Sequence, residues 1–259
     1  MTRPAPLGRG PAARAALARL VHAERPILLL DLDGTLAPLR DRPADARVPA
    51  GTRRTLRTLR ATGVSIVLVS GRSARAVARI AAVPVDGILG DHGARALLGG
   101  RLRPWLPVDR PRLARAARAV AALLHGRERI WLERKDRSLA IHLRLPGGHA
   151  HGLAREAARV LTRAGLRVLR GHRVLDAQLP GVHKGAAVRR LLAGRDHDVV
   201  LYAGDDTTDR DALAALPRGG IGIVVGRRVP GAAFRTTSPA TLAAWLARLA
   251  AARAARVSR

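Results

Sequence analysis

Cysteine is absent from the 259 residues, which excludes a disulfide framework, a thiolate metal site and a cysteine nucleophile. Asparagine is absent as well, and lysine occurs only at Lys135 and Lys184, so nearly all of the formal charge of +28 is arginine. Three tryptophans, one tyrosine and one phenylalanine are the whole aromatic complement, too few to stack on a run of bases. The arginines are spread along the chain without a cluster, the signature of compositional bias, and no dedicated nucleic-acid partner is expected. Apolar runs such as Ile27 to Leu30 and Ile66 to Val69 are strand-sized, and nothing approaches the roughly 20 residues that span a bilayer, so no membrane partner is expected. Near the N-terminus, Arg19 interrupts the stretch from Arg14 to Val21, which argues against a secretory signal. These absences predict a cytoplasmic, globular protein, expected to be a monomer. Against the bias toward arginine, each retained lysine marks a position that calls for a compact ammonium.

What is present is a rhythm. Apolar runs at Ile27 to Leu30, Val64 to Val69 and Val85 to Leu89 alternate with helical spacing at Arg14 to His22, Thr52 to Thr62 and Ser73 to Ala82. Near-continuous hydrophobic strands between helices predict a parallel sheet covered on both faces. A glycine-punctuated hairpin candidate follows through Trp105. From about Leu106 to Pro180 the order changes to helix, two strands, helix and two short strands, an α+β layer inserted into the main sheet. The strand and helix alternation resumes from Lys184. The predicted fold class is α/β, a doubly wound parallel-sheet core of Rossmann-like type made of residues 1–105 and 181–259, with an α+β domain inserted at 106–180.

The first buried strand delivers Asp31-Leu32-Asp33-Gly34-Thr35-Leu36 to its carboxyl end, where ligands bind in open parallel sheets. Two carboxylates spaced by two can divide a phosphoryl transfer, with Asp31 attacking phosphorus and Asp33 handling the proton as acid and then base. The next strand ends in Ser70-Gly71-Arg72, where a hydroxyl can donate to a phosphoryl oxygen and Gly71 allows close backbone approach. Lys184 opens a helix, and the following strand ends in Gly204-Asp205-Asp206-Thr207-Thr208-Asp209. A carboxylate loop at a strand end suits Mg²⁺, a hard cation that takes oxygen ligands. Asp205, Asp31 and the backbone carbonyl of Asp33 are the expected ligands, with Asp206 and Asp209 in support. The cation and Lys184 would offset repulsion between an anionic nucleophile and a phosphate dianion.

These four motifs, in this order, resemble the haloacid dehalogenase superfamily of phosphohydrolases over essentially the whole chain, and the inserted layer resembles the α/β cap of those enzymes. Within the insertion, strand alternation puts Trp131, Glu133 and Lys135 on one face and Ile130 and Leu132 on the other. Glu-x-Lys followed by Ser138-Leu139-Ala140-Ile141-His142-Leu143-Arg144 is similar to the cap sequence of the trehalose-6-phosphate phosphatases, as is Gly90-Asp91-His92-Gly93. The resemblance implies a phosphorylated disaccharide substrate, held by Glu133, Lys135, His92, Gly93 and Asp176; Gly71 and Arg72 are counted among the substrate-binding residues, and Arg72 and Arg144 match family positions without an assigned role. His142 reads as structural. The chain departs from the family at Asp176, Arg95, Arg210 and Leu213, where the relatives have glutamate, an acidic residue, glutamate and phenylalanine. The expectation is hydrolysis of trehalose 6-phosphate with Mg²⁺ through an aspartyl-phosphate. Sucrose phosphate and mannosyl phosphoglycerate are the alternative substrates, and an arginine-rich nucleic-acid-binding protein on the same fold is the rival of another class.

Overall fold

The structure, a computed structural model, describes residues 4–127, 130–134, 138–143, 148–171, 174–226 and 229–258. In chain order the elements are β1 (Ala5–Pro6), α1 (Pro11–His22), β2 (Pro26–Leu30), α2 (Ala50–Ala61), β3 (Ser65–Val69), α3 (Ala74–Ala81), β4 (Gly87–Gly90), β5 (Arg95–Leu98) and β6 (Arg101–Pro104). There follow α4 (Arg110–Leu124), β7 (Ile130–Arg134), β8 (Ser138–Leu143), α5 (Gly148–Arg163), β9 (Arg167–Gly171) and β10 (Val174–Gln178). The chain closes with α6 (Lys184–Leu192), β11 (Val199–Gly204), α7 (Asp209–Leu213), β12 (Ile221–Val225), β13 (Phe234–Thr236) and α8 (Pro239–Val257). Two compact units result, Met1–Trp105 with Lys184–Arg259, and Leu106–His183. Among the described residues no helix is long and apolar enough to cross a membrane.

The first unit is built on a nine-stranded sheet in the order β1-β13-β12-β11-β2-β3-β4-β5-β6. Pairing is parallel from β1 through β4, and the β5–β6 hairpin adds an antiparallel edge. Both faces are covered, as the unbroken apolar strands require. Leu28, Leu30, Ile66, Leu68, Leu201, Ala203, Ile221 and Ile223 join residues of α1, α2, α3 and α8 in one buried cluster. On the opposite face Leu213 of α7 lies against Gly222. This is the doubly wound core expected from the sequence. Two strands were not expected: β13 is three residues long and β1 only two, too short to carry a periodic signal, and Pro6 has no N–H to give to a ladder, which suits it to the edge.

An arginine locks this core. Arg253 is 3 % exposed, and its guanidinium donates to the carbonyls of Leu20, Val21 and Ala23 at the end of α1 and of Thr62 at the end of α2. Carbonyls left over at helix C-termini thereby gain charged donors without water.

The second unit is a four-stranded antiparallel sheet in the order β7-β8-β10-β9, with α4 and α5 packed on it. Ile130, Ile141, Leu143, Leu175 and Ala177 are buried along with Leu113, Ala117 and Val120 of α4 and Ala157 and Leu161 of α5. Alternation sends the other set of side chains to the opposite face. The α+β character of the insertion is as the sequence implies.

Candidate active site

β2 is buried over its whole length, hydrogen-bonded between β11 and β3, and it ends at Asp31, whose N–H donates to the carbonyl of Ala203 at 2.9 Å. Asp31 is 3 % exposed. Lys184, the first residue of α6 and equally buried, donates to Asp31 Oδ1 at 2.8 Å and to Asp209 Oδ1 at 2.6 Å. Asp209 also accepts the Tyr202 hydroxyl at 2.5 Å and, on Oδ2, the backbone N–H groups of Asp205 and Asp206 at 3.0 and 2.9 Å. All the lone-pair directions of that carboxylate are thus in use. Asp209 is the anchor of Lys184 and of the acidic loop.

Gly34 explains how Asp205 reaches Asp31. Its φ of +73° is one that side chains rarely adopt, and a Cβ there would lie 2.1 Å from Asp205 Oδ2. The turn after β2 and the loop after β11 therefore close on each other only because residue 34 has no side chain. Asp31, Asp205 and Asp209 bring one oxygen each within 4.8 Å of one another. Three carboxylates face one ammonium. Burial drives the Asp31 carboxyl well above its usual range, with Lys184 pulling it back, and Asp205 is pushed up to about 6 by burial and by Asp209. Lys184 is held protonated: burial alone would discharge it, but the carboxylates of Asp209 and Asp31 outweigh that. A surplus of oxygen-bearing negative charge in a water-poor site fits a hard divalent cation, and Asp31 and Asp205, whose oxygens are less committed than those of Asp209, are the residues to hold it. Asp206 is exposed and accepts from the Thr207 hydroxyl, outside that group.

Asp33 points elsewhere. Both of its oxygens accept from Arg72, at 2.6 Å from Nε and 2.7 Å from the terminal nitrogen, and Arg72 also donates to the carbonyl of Pro43. The arginine without an assigned role is therefore the partner of the second aspartate. Ser70, 2 % exposed, accepts from the Arg72 N–H, and the loop it begins is stitched to the turn at 91–92: the Asp91 N–H donates to the Arg72 carbonyl and the His92 N–H to that of Ser70. Asp91 and His92 both have a φ of +53°, unusual for residues with a side chain, and the His92 ring lies over Gly71, where a Cβ would come within 2.6 Å of it. Ser70, Gly71, Arg72, His92 and Gly93 are thus brought together at the ends of β3 and β4.

In the second unit the register pairs Glu133 with Ala140 and Ala140 with Asp176, which puts both carboxylates on the face opposite the apolar layer. Gln178 donates to Asp176 at 2.8 Å, and Glu133 Oε2 is 2.8 Å from His142 Nε2. Lys135 and Arg144 lie outside the described residues. Sequence reasoning passed over Tyr202, which stands in an all-buried strand and reads there as core. Being the one tyrosine of the chain was its single signal. Thr35, whose hydroxyl faces Asp31 Oδ2 at 3.4 Å, went unassigned within its motif.

The sequence profile described as Trehalose-phosphatase matches residues 29–234. An uncharacterized glycosyl hydrolase of Mycobacterium tuberculosis is 32 % identical over 256 residues, covering 90 % of this chain but only 19 % of the relative. A trehalose-phosphate phosphatase of Mycobacterium ulcerans is 29 % identical over 245 residues, 87 % of this chain and 62 % of that protein. The chain therefore spans less than two thirds of the length of these relatives. Among solved structures, the C-terminal domain of the trehalose-6-phosphate phosphatase of C. albicans superposes with a TM-score of 0.78 at 21 % identity, over 96 % of this chain and 98 % of the other, which speaks to the fold. By the extent of the profile match, the chain belongs to the trehalose-phosphatase family.

Proposed function

We propose that the protein hydrolyses trehalose 6-phosphate to trehalose and inorganic phosphate. The observation that carries the reading is the buried Asp31 at the end of β2, tied to the protonated Lys184 and facing Asp205. In the first step an Asp31 oxygen forms a bond to phosphorus as the bond from phosphorus to the sugar oxygen breaks, and Asp33 gives that oxygen its proton. In the second, water attacks the phosphorus of the aspartyl-phosphate, Asp33 takes the water's proton, and the carboxylate of Asp31 is released. Lys184 and the Ser70 hydroxyl offset charge on the phosphoryl oxygens. Mg²⁺, held by Asp31, Asp205 and the Asp33 carbonyl, would supply further neutralisation of the phosphate when bound.

Two features of the chain bear on the proton transfer and the sugar. Arg72 takes one lone-pair direction on each oxygen of Asp33, which leaves a second direction on each oxygen for the transferred proton. Glu133, Lys135 and Asp176 are the residues proposed to hold sugar hydroxyls, with His92 and Gly93. Asp176, one methylene shorter than the family's glutamate, weakens such a contact without removing it.

The test is phosphate release with Mg²⁺ from trehalose, sucrose and hexose phosphates, with Asp31→Asn as the blank. Preference for trehalose 6-phosphate is expected, and a loss of at least about 10⁴-fold in the variant. Equal activity across the sugars would discard the substrate and keep the phosphatase. Activity that survives in Asp31→Asn would overturn the mechanism.

A further inference from the structure

Trp131 is 42 % exposed, in a chain with three tryptophans of which Trp245 is buried at 4 %. A single exposed tryptophan is unremarkable on a surface. This one is held in place. Its indole stacks on the His142 ring with the centroids 4.6 Å apart and the planes 10° from parallel. The histidine is fixed in turn, because its Nε2 lies 2.8 Å from Glu133 Oε2. The register explains why the three meet: Trp131 and His142 are directly paired across β7 and β8, and Glu133 is two residues along β7 on the same face. The side chains of His142 and Glu133 remain 30 % and 45 % exposed.

The chemistry of such a triad is specific. A pyranose ring has one face of C–H groups and a rim of hydroxyls. A flat apolar plate beside a carboxylate matches both, the indole taking the C–H face and the carboxylate accepting from the rim. Fixing the plate and the carboxylate before the ligand arrives removes part of the ordering cost of binding. We propose that the Trp131–His142 stack is a sugar platform, in which the indole receives a pyranose ring and His142 positions Glu133 for its hydroxyls. This rests on the reading of the chain as a sugar-phosphate phosphatase and deepens it: Trp131 becomes a binding residue and His142 a positioning residue, where the sequence assigned neither.

The experiment is calorimetric titration of trehalose 6-phosphate into the Asp31→Asn protein, which does not turn it over, with inorganic phosphate as a probe that lacks the sugar. Trp131→Ala is expected to weaken trehalose 6-phosphate about 10-fold and inorganic phosphate less than about 2-fold, and Trp131→Phe to recover most of the loss. His142→Gln, which keeps an amide donor for Glu133, is expected to bind the sugar phosphate more tightly than His142→Ala. Equal weakening of both ligands by Trp131→Ala, or weakening of neither, overturns the platform while leaving the enzyme reading intact. An Asp31→Asn protein that binds inorganic phosphate but neither trehalose 6-phosphate nor another sugar phosphate overturns the enzyme reading and the platform together.

Discussion

The two units of this protein treat charge in opposite ways. In the first, Lys184 is 3 % exposed and clamped between two buried carboxylates. In the second, Glu133 is 45 % exposed in its side chain and leans on a histidine at 30 %. A buried charge cannot lose its partner without leaving another charge stranded, so the groups proposed to do the chemistry are bound to the stability of the fold. Glu133, proposed to help choose the sugar, stands where a substitution costs the fold little. The departures from the family do not follow this division, since Arg95, Arg210 and Leu213 lie in the first unit and only the shortened Asp176 lies on the second unit's sheet.

The comparison is broken most directly at Lys184. Lys184→Met should lower stability by about 3–5 kcal/mol, read as a fall in the urea midpoint, because Asp31 and Asp209 would then repel each other in a buried site. A change under about 1 kcal/mol would mean the pair is not held as described. Tyr202→Phe is the finer probe of the same cluster. It removes one of four donors to Asp209 and should cost about 1.5 kcal/mol, with turnover reduced through the loosened lysine rather than through any contact with substrate.

On the surface of the same unit the expected effects shrink. The Arg60–Asp86 pair has side chains 34 % and 38 % exposed, at 2.8 Å. Burial would raise Asp86, but the Arg60 guanidinium and the Ile66 N–H outweigh it and hold the carboxyl below its usual range. A carboxyl lowered in the folded state adds stability that is present above its unfolded value, near 3.9, and is lost as pH falls through the lower folded value. Because solvent screens the pair, the contribution is under about 1 kcal/mol. Urea denaturation of the parent and of Asp86→Asn should differ at pH 6 and converge near pH 2. Smallest of all is Glu133→Ala, expected to move stability by no more than about 0.5 kcal/mol while lowering kcat/KM for the sugar phosphate more than for a small aryl phosphate. Equal losses on the two substrates would erase the division between the units.

How much of this could be read from the sequence follows the range of each interaction. The buried strands, the inserted α+β layer and the strand-end motifs are local patterns, and they were legible as such. Lys184 stood out because lysine occurs at only one other position of an arginine-rich chain. What escaped is what the fold assembles from distant positions. Asp33 meets Arg72 across 39 residues, Lys184 meets Asp31 across 153, and Arg253 reaches the end of α1 across more than 200. Asp209 illustrates the limit well. Next to Asp205 and Asp206 it reads as one more acidic residue of a metal loop, and only its four donors show that it anchors the lysine instead. The contacts of His142 with Trp131 and Glu133 run between neighbouring strands, so no local pattern displays them.

The central claim is that phosphorus passes through Asp31. It is tested most directly by mixing the enzyme with Mg²⁺ and trehalose 6-phosphate, quenching in acid within the first turnover and mapping phosphorylated peptides by mass spectrometry. The account predicts one phosphoryl group on the peptide that contains Asp31, absent in Asp31→Asn. Phosphate released with the label on any other residue, or with no label at any time before the first turnover ends, would contradict it.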